Sequence, residues 1–114
     1  MVDYYPDRWV VVEITGQDKD PIHKVFGSWR GGYISGEHWR MNSGIVDVIK
    51  EDNIYLFIGA SGSQYVCPIG EDFYGATTWA SGVLDNYIKS AKENGYTMEV
   101  LSSDYDFLKL GNNK

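Results

Sequence analysis

The chain is short of nearly everything that announces a catalytic or metal centre. Its 114 residues hold one cysteine, Cys67, and two histidines, His23 and His38. A lone cysteine closes no internal disulfide, and no CxxC or i,i+4 histidine pair exists to pre-organise a metal. No glycine cluster bridges a strand to a helix start, which excludes a phosphate-cradling or dinucleotide loop of the common kinds. "GASGS", residues 59–63, only superficially resembles a nucleophile elbow: its inner glycine follows Ser61 directly, and strand-like sequence comes next. The acidic pairs Glu51-Asp52 and Glu71-Asp72 sit in turn-like segments, whereas glycosidase chemistry needs two carboxyls held across a cleft. No catalytic residue, metal ligand or cofactor is assigned on these grounds.

Basic residues are scarce as well. Ten Lys and Arg stand against sixteen Asp and Glu, a formal charge of −6. Nucleic acid is disfavoured as a partner, because phosphate neutralisation needs clustered cations. The imbalance is uneven: residues 1–50 carry 7 acidic and 6 basic side chains, residues 51–114 carry 9 and 4. Between His23 and Arg40 the sign reverses, with Lys24, Arg30 and Arg40 against Glu37 alone. No apolar run approaches the ~18 residues of a membrane span. The start "MVDYYPDRW" has neither the basic end nor the apolar stretch of a signal peptide, so a cytoplasmic protein without membrane partners is expected.

What the chain does have is aromatic and β-branched surface. Tyrosine (9) and tryptophan (4) supply most of an aromatic content of 15%, and such side chains favour pleated sheet. "RWVVVEIT", residues 8–15, alternates as a strand, with Val10, Val12 and Ile14 on one face and Trp9, Val11 and Glu13 on the other. "GQDKDP" reads as a turn. "HKVFGSWR" and "EHWRM" read as strands around a Gly31-Gly32 turn, and Asn42-Ser43-Gly44 as a bulge or bend. "IVDVIK", "IYLFIG" and "SQYVCPI" follow as hairpin-linked strands. The second of them is expected to be central and covered on both faces, and the third to end at Pro68.

The period changes after Thr77. Trp79, Ala80, Val83, Leu84, Tyr87, Ile88 and Ala91 fall on one helical stripe, with Thr77 or Thr78 as N-cap and Asn94-Gly95 as a left-handed stop. "YTMEVLS" is a last strand, and residues 105–114 read as a loose polar tail. The expected fold is one α+β domain over residues 1–114. It is a twisted antiparallel meander of about five or six strands with the helix of residues 77–93 packed on a face.

The function-bearing candidates lie in "GSWRGGYISGEHWRM", residues 27–41. If Trp29 and Trp39 face each other across the turn, their indoles form a cross-strand pair and Arg30 and Arg40 project from the other face. That hairpin is either a structural staple or a binding platform. Trp29, Arg30, Tyr33, Trp39 and Arg40 are the candidate binding residues, because Trp, Tyr and Arg dominate protein-contact hot spots. Two other classes stay open: a small hydrolase or transferase using Cys67 with His38, and a homo-oligomeric structural protein pairing through a sheet edge.

"PDRWVVVEI", "VFGSWRGGYISGEHWRMNSGI" and "YLFIGASGSQYVC" together resemble a group of small uncharacterised proteins encoded by large tailed phages. The resemblance is particularly to proteins of the T4-like phages of marine cyanobacteria and to related marine metagenomic sequences. The likeness covers about residues 6–67. It implies a phage origin and action in an infected bacterial cytoplasm, and it assigns no activity or site residue; the partner expected for the platform reading is a host or phage protein.

Overall fold

Four apolar residues in a row, Trp9 to Val12, give a strand two faces to bury, and the fold buries both. The computed structural model describes residues 2–30 and 38–111. Within them run β1 (Asp3–Tyr4), β2 (Arg8–Gly16), β3 (Lys19–Trp29), β4 (His38–Met41), β5 (Ile45–Glu51), β6 (Ile54–Gly59), β7 (Gln64–Pro68), α1 (Thr78–Glu93) and β8 (Thr97–Val100), followed by a 3-10 turn at Phe107–Leu110. The strands form two sheets, ordered β1-β7-β6-β5 and β4-β3-β2-β8. All pairings are antiparallel except β1 with β7. The fold is therefore α+β as expected, but with two sheets and more strands than a single meander holds.

The second sheet is the middle layer. Trp9, Val11 and Val25 pack with Val48, Phe57, Tyr65, Cys67 and Phe107 in a core between the sheets. On its other face Val10, Val12, Phe26 and Met98 pack with Ala80 and Leu84 of α1. The alternation read in residues 8–15 is thus real, and each half of it fills a different core. The helix ends as its sequence predicts: Gly95 takes φ 83°, and Tyr96 N and Gly95 N bond Ala91 O (2.8 Å) and Lys92 O (3.2 Å). A positive φ there favours glycine, and the two bonds satisfy carbonyls the last turn leaves free.

Four local expectations are corrected. "GQDKDP" is tighter than a loop: Gln17 and Asp18 take φ 59° and 57° as the centre of a two-residue hairpin, and β3 resumes at Lys19. Asn42-Ser43-Gly44 is where the chain leaves one sheet for the other. The buried Asn42 bonds both polar groups of Val25, its Oδ1 accepting from Val25 N (2.9 Å) and its N donating to Val25 O (3.0 Å). β6 is central in its sheet, yet only Phe57 and Gly59 are buried; Leu56 and its neighbours Ile49 and Val66 belong to neither core. Finally, residues 105–111 are not a loose tail, because Phe107 is wholly buried among Trp9, Tyr55, Phe57, Tyr74 and Tyr105.

Candidate binding surface

Register decides which of the candidate residues can meet. In the β3–β4 pair Phe26 lies opposite Met41, Gly27 opposite Arg40, Ser28 opposite Trp39 and Trp29 opposite His38. Trp29 and Trp39 are therefore one residue out of step, and in a strand one step is the opposite face. The expected indole pair does not form.

Trp39 turns toward the helix. It stacks on Phe26 (5.6 Å between centroids, 12° between planes) and meets Tyr87 of α1 edge-on at 5.4 Å. It is half-buried and acts as packing between β4 and α1. Ser28, on the same face and fully buried, accepts a hydrogen bond from Thr77 N at 3.0 Å, which fixes the start of α1 to the sheet.

Trp29 turns the other way. Its ring stacks on His38 at 5.1 Å and 9°, meets Tyr4 edge-on at 6.4 Å, and its Nε1 donates to Tyr5 O at 2.8 Å. Arg40 joins this group with its guanidinium 4.6 Å from the Tyr4 ring centre, a cation–π distance. Tyr4 in turn lies 5.0 Å from Tyr65. Burial pushes the Tyr65 phenol up to about 12, with Arg40 pulling in the opposite direction. The result is a rim of Tyr4, Tyr5, Trp29, His38 and Arg40 along one edge, with Tyr5, His38 and Arg40 exposed.

Arg30 lies beyond the end of β3. Its backbone N donates to Asp7 Oδ2 at 2.7 Å, and its side chain is exposed beside Arg8 near the start of α1. Of the five candidates, then, Trp29 and Arg40 share one surface, Arg30 sits at the helix start and Trp39 packs on the helix. Tyr33 and the Gly31-Gly32 turn lie outside the described residues. Sequence reasoning missed Tyr4 and Tyr5, whose short "DYYP" segment carries too little alternation to mark β1.

The Cys67–His38 pair is not assembled. Cys67 is fully buried between the sheets, burial pushes its thiol well above the ordinary range, and His38 is exposed on the rim stacked with Trp29. His23 is engaged elsewhere, 2.9 Å from Glu13 Oε2 across β2 and β3. Among the described residues no three His, Cys, Asp or Glu side chains gather as a metal site would require. No helix among them is long and apolar enough to cross a membrane. A separate groove of about 380 Å³ lies between the end of α1 and the β2–β3 hairpin, lined by Ile14, Lys24, Tyr87, Tyr96 and Met98 among others. No family model, curated protein or solved structure matches the chain.

Proposed function

We propose that this is a small non-enzymatic binding or accessory protein of phage origin, acting in the cytoplasm of an infected bacterium by contact with a host or phage protein. The contact surface is the aromatic and cationic rim. The observation that carries this reading is Arg40 seated over Tyr4 beside the Trp29–His38 stack. Flat rings already held by neighbours lose little freedom on binding, and an arginine held over one of them presents its donors in a set direction.

A pull-down from nuclease-treated host lysate tests it, comparing the native chain with a Trp29→Ala, Arg40→Ala variant shown to be folded. Trp39 is left intact because it packs on α1. A protein retained by the native chain and lost by the variant supports the reading; equal retention, or no retained protein, removes it.

A homo-oligomeric structural role is the second reading. It is favoured by the row Ile49, Leu56 and Val66 across three strands on the outer face of the first sheet. Light scattering that finds only monomer at high concentration would end it.

A further inference from the structure

We infer that the groove beside the C-terminal half of α1 is a binding site for a small carboxylic acid with an apolar body, aliphatic or aromatic, whose carboxylate meets Lys24. The site goes beyond the proposed protein contact and shares no residue with the rim.

The groove exists because two elements stop short of it. β4 pairs with β3 only from Phe26 to Trp29, and after Asn42 the chain crosses to the other sheet. The first half of β3 therefore has β2 on one side and, among the described residues, no strand on the other. The helix leaves it open as well. Its buried residues, Ala80 and Leu84, pack with Val10, Val12, Phe26 and Met98, while Ile22 stays 47% exposed.

Register builds the floor. Ile14 lies opposite Ile22 on β3 and opposite Met98 on β8, and Lys24 lies opposite Val12. Directly paired residues of neighbouring strands point to the same side, here the side of α1. Ile14, Ile22 and Met98 line the groove from the sheet, and Tyr87, Ala91 and Tyr96 line it from the helix and its end. Both ends of the wall are tied down: Tyr87 meets Trp39 edge-on at 5.4 Å, and Gln17 Nε2 donates to Asn94 O at 3.5 Å. A largely apolar, pre-formed groove of about 380 Å³ is of the size and character of small-molecule sites, which start at roughly 300 Å³.

Lys24 gives the groove its polarity. It is half-buried, lines the groove, and has Ile22 and Phe26 as its neighbours on that face of β3 and Val12 across the ladder. Among the described residues it makes no ion pair and no side-chain hydrogen bond. Glu13 is one step away in register, so it faces the other side of the sheet, where it engages His23; Glu99 lies opposite Glu13 on that side. The one carboxylate among the residues lining the groove is Asp20, four residues along the strand from Lys24 and so roughly 13 Å away. Lys19 lies beside it at the hairpin end.

An ammonium partly withdrawn from water without a counter-ion is costly, and an anionic head group offsets that cost. A single lysine is a point charge, suited to one carboxylate more than to the forked, multiply charged phosphate that arginine favours. Asp20 repels an acid head from the far end, so the ligand lies with its carboxylate at Lys24 and its apolar body over Ile22, Ile14 and Met98.

The test is an NMR titration of the full chain at neutral pH with octanoate and, separately, cinnamate. Octanol and octylammonium serve as the uncharged and oppositely charged controls. Saturable shifts of the Ile14, Ile22 and Met98 methyls and of the Lys24 amide are expected with the acids, weaker binding with octanol and the weakest with octylammonium. Whichever acid binds more tightly tells whether the body is aliphatic or aromatic. Lys24→Gln should weaken both acids roughly five- to tenfold, the range for a half-buried charge-assisted hydrogen bond, and leave octanol unchanged. Ile22→Ser removes an exposed side chain, so it should keep the thermal midpoint while weakening octanoate and octanol alike. Absence of saturable shifts, equal affinity for octanoate and octylammonium, or native affinity for the acids in Lys24→Gln overturns the site. Shifts of the same methyls on diluting the ligand-free chain would overturn it too, by showing that a second copy covers the groove. The Trp29→Ala, Arg40→Ala variant should bind octanoate as the native chain does, so this site and the protein contact fail separately.

Discussion

The indole Nε1 of Trp9 donates a hydrogen bond to the carbonyl oxygen of Pro68 at 2.7 Å, so one side chain of the middle sheet is bonded to the last residue of β7 in the other. Trp9 is 2% exposed, and its ring meets Tyr55, Phe57, Tyr74 and Phe107 at 4.8–6.2 Å.

Trp9→Phe should keep most of the ring packing but strand the Pro68 carbonyl, at a cost of about 1–3 kcal/mol. Trp9→Ala should cost about 3–5 kcal/mol. Urea unfolding of the two variants separates bond from volume. A Trp9→Phe midpoint equal to the native one would show that the bond contributes nothing.

Phe107 is the second test of the core between the sheets. It is fully buried, whereas its neighbour Leu108 is 39% exposed. Phe107→Ala is expected to lower stability by about 3–5 kcal/mol, and Leu108→Ala by well under half of that. A chain truncated after Leu101 should unfold far below the native temperature in calorimetry. If it melted like the full chain, the 3-10 turn would not be part of the core.

Alkaline pH should unfold the protein early. Burial raises the Tyr65 and Tyr74 phenols from the ordinary value of 10.0 to about 12, and Tyr74 also donates to Leu101 O. Burial likewise raises the Cys67 thiol well above 9.0. Each group holds its proton in the folded state where the unfolded chain would release it, so the unfolded state binds fewer protons. Stability is fully present below about pH 9 and falls as pH climbs toward 12. Denaturant midpoints across that range should decline, and Tyr74→Phe should flatten the decline.

Cys67 should be inert in the native state. A thiol reagent at neutral pH, followed by mass spectrometry, should leave the folded protein unlabelled and label it fully in denaturant. Rapid native labelling would mean that the core opens often enough to expose β7.

Much of this architecture was legible because β2 and α1 carry long, regular patterns. Trp9 to Ile14 alternates without a break, and the helix stripe runs from Trp79 to Ala91 before an Asn-Gly stop. The partition into two sheets was not legible, since alternation says which residues share a face but not which strand lies alongside. β1 pairs with β7, and β8 with β2, across long stretches of chain. The rim was half legible for a related reason. Trp29 and Arg40 were visible as residue types, but whether Trp29 faces Trp39 or His38 depends on a single step of register. Phe107 was hidden by acidic neighbours that made its segment look solvated. Thr77 was readable as a cap from its position, while its unpaired hydroxyl is a property of the folded chain alone.

The two-sided character of β2 also restricts how this sequence can change over time. Inserting or deleting one residue between Arg8 and Glu13 would exchange the occupants of both cores at once, sending tryptophan toward the helix and valines toward the aromatic cluster. A change of two residues would keep each side chain on its own side. Length variation in this strand should therefore be tolerated in even steps or not at all, while substitutions on one face can accumulate independently of those on the other.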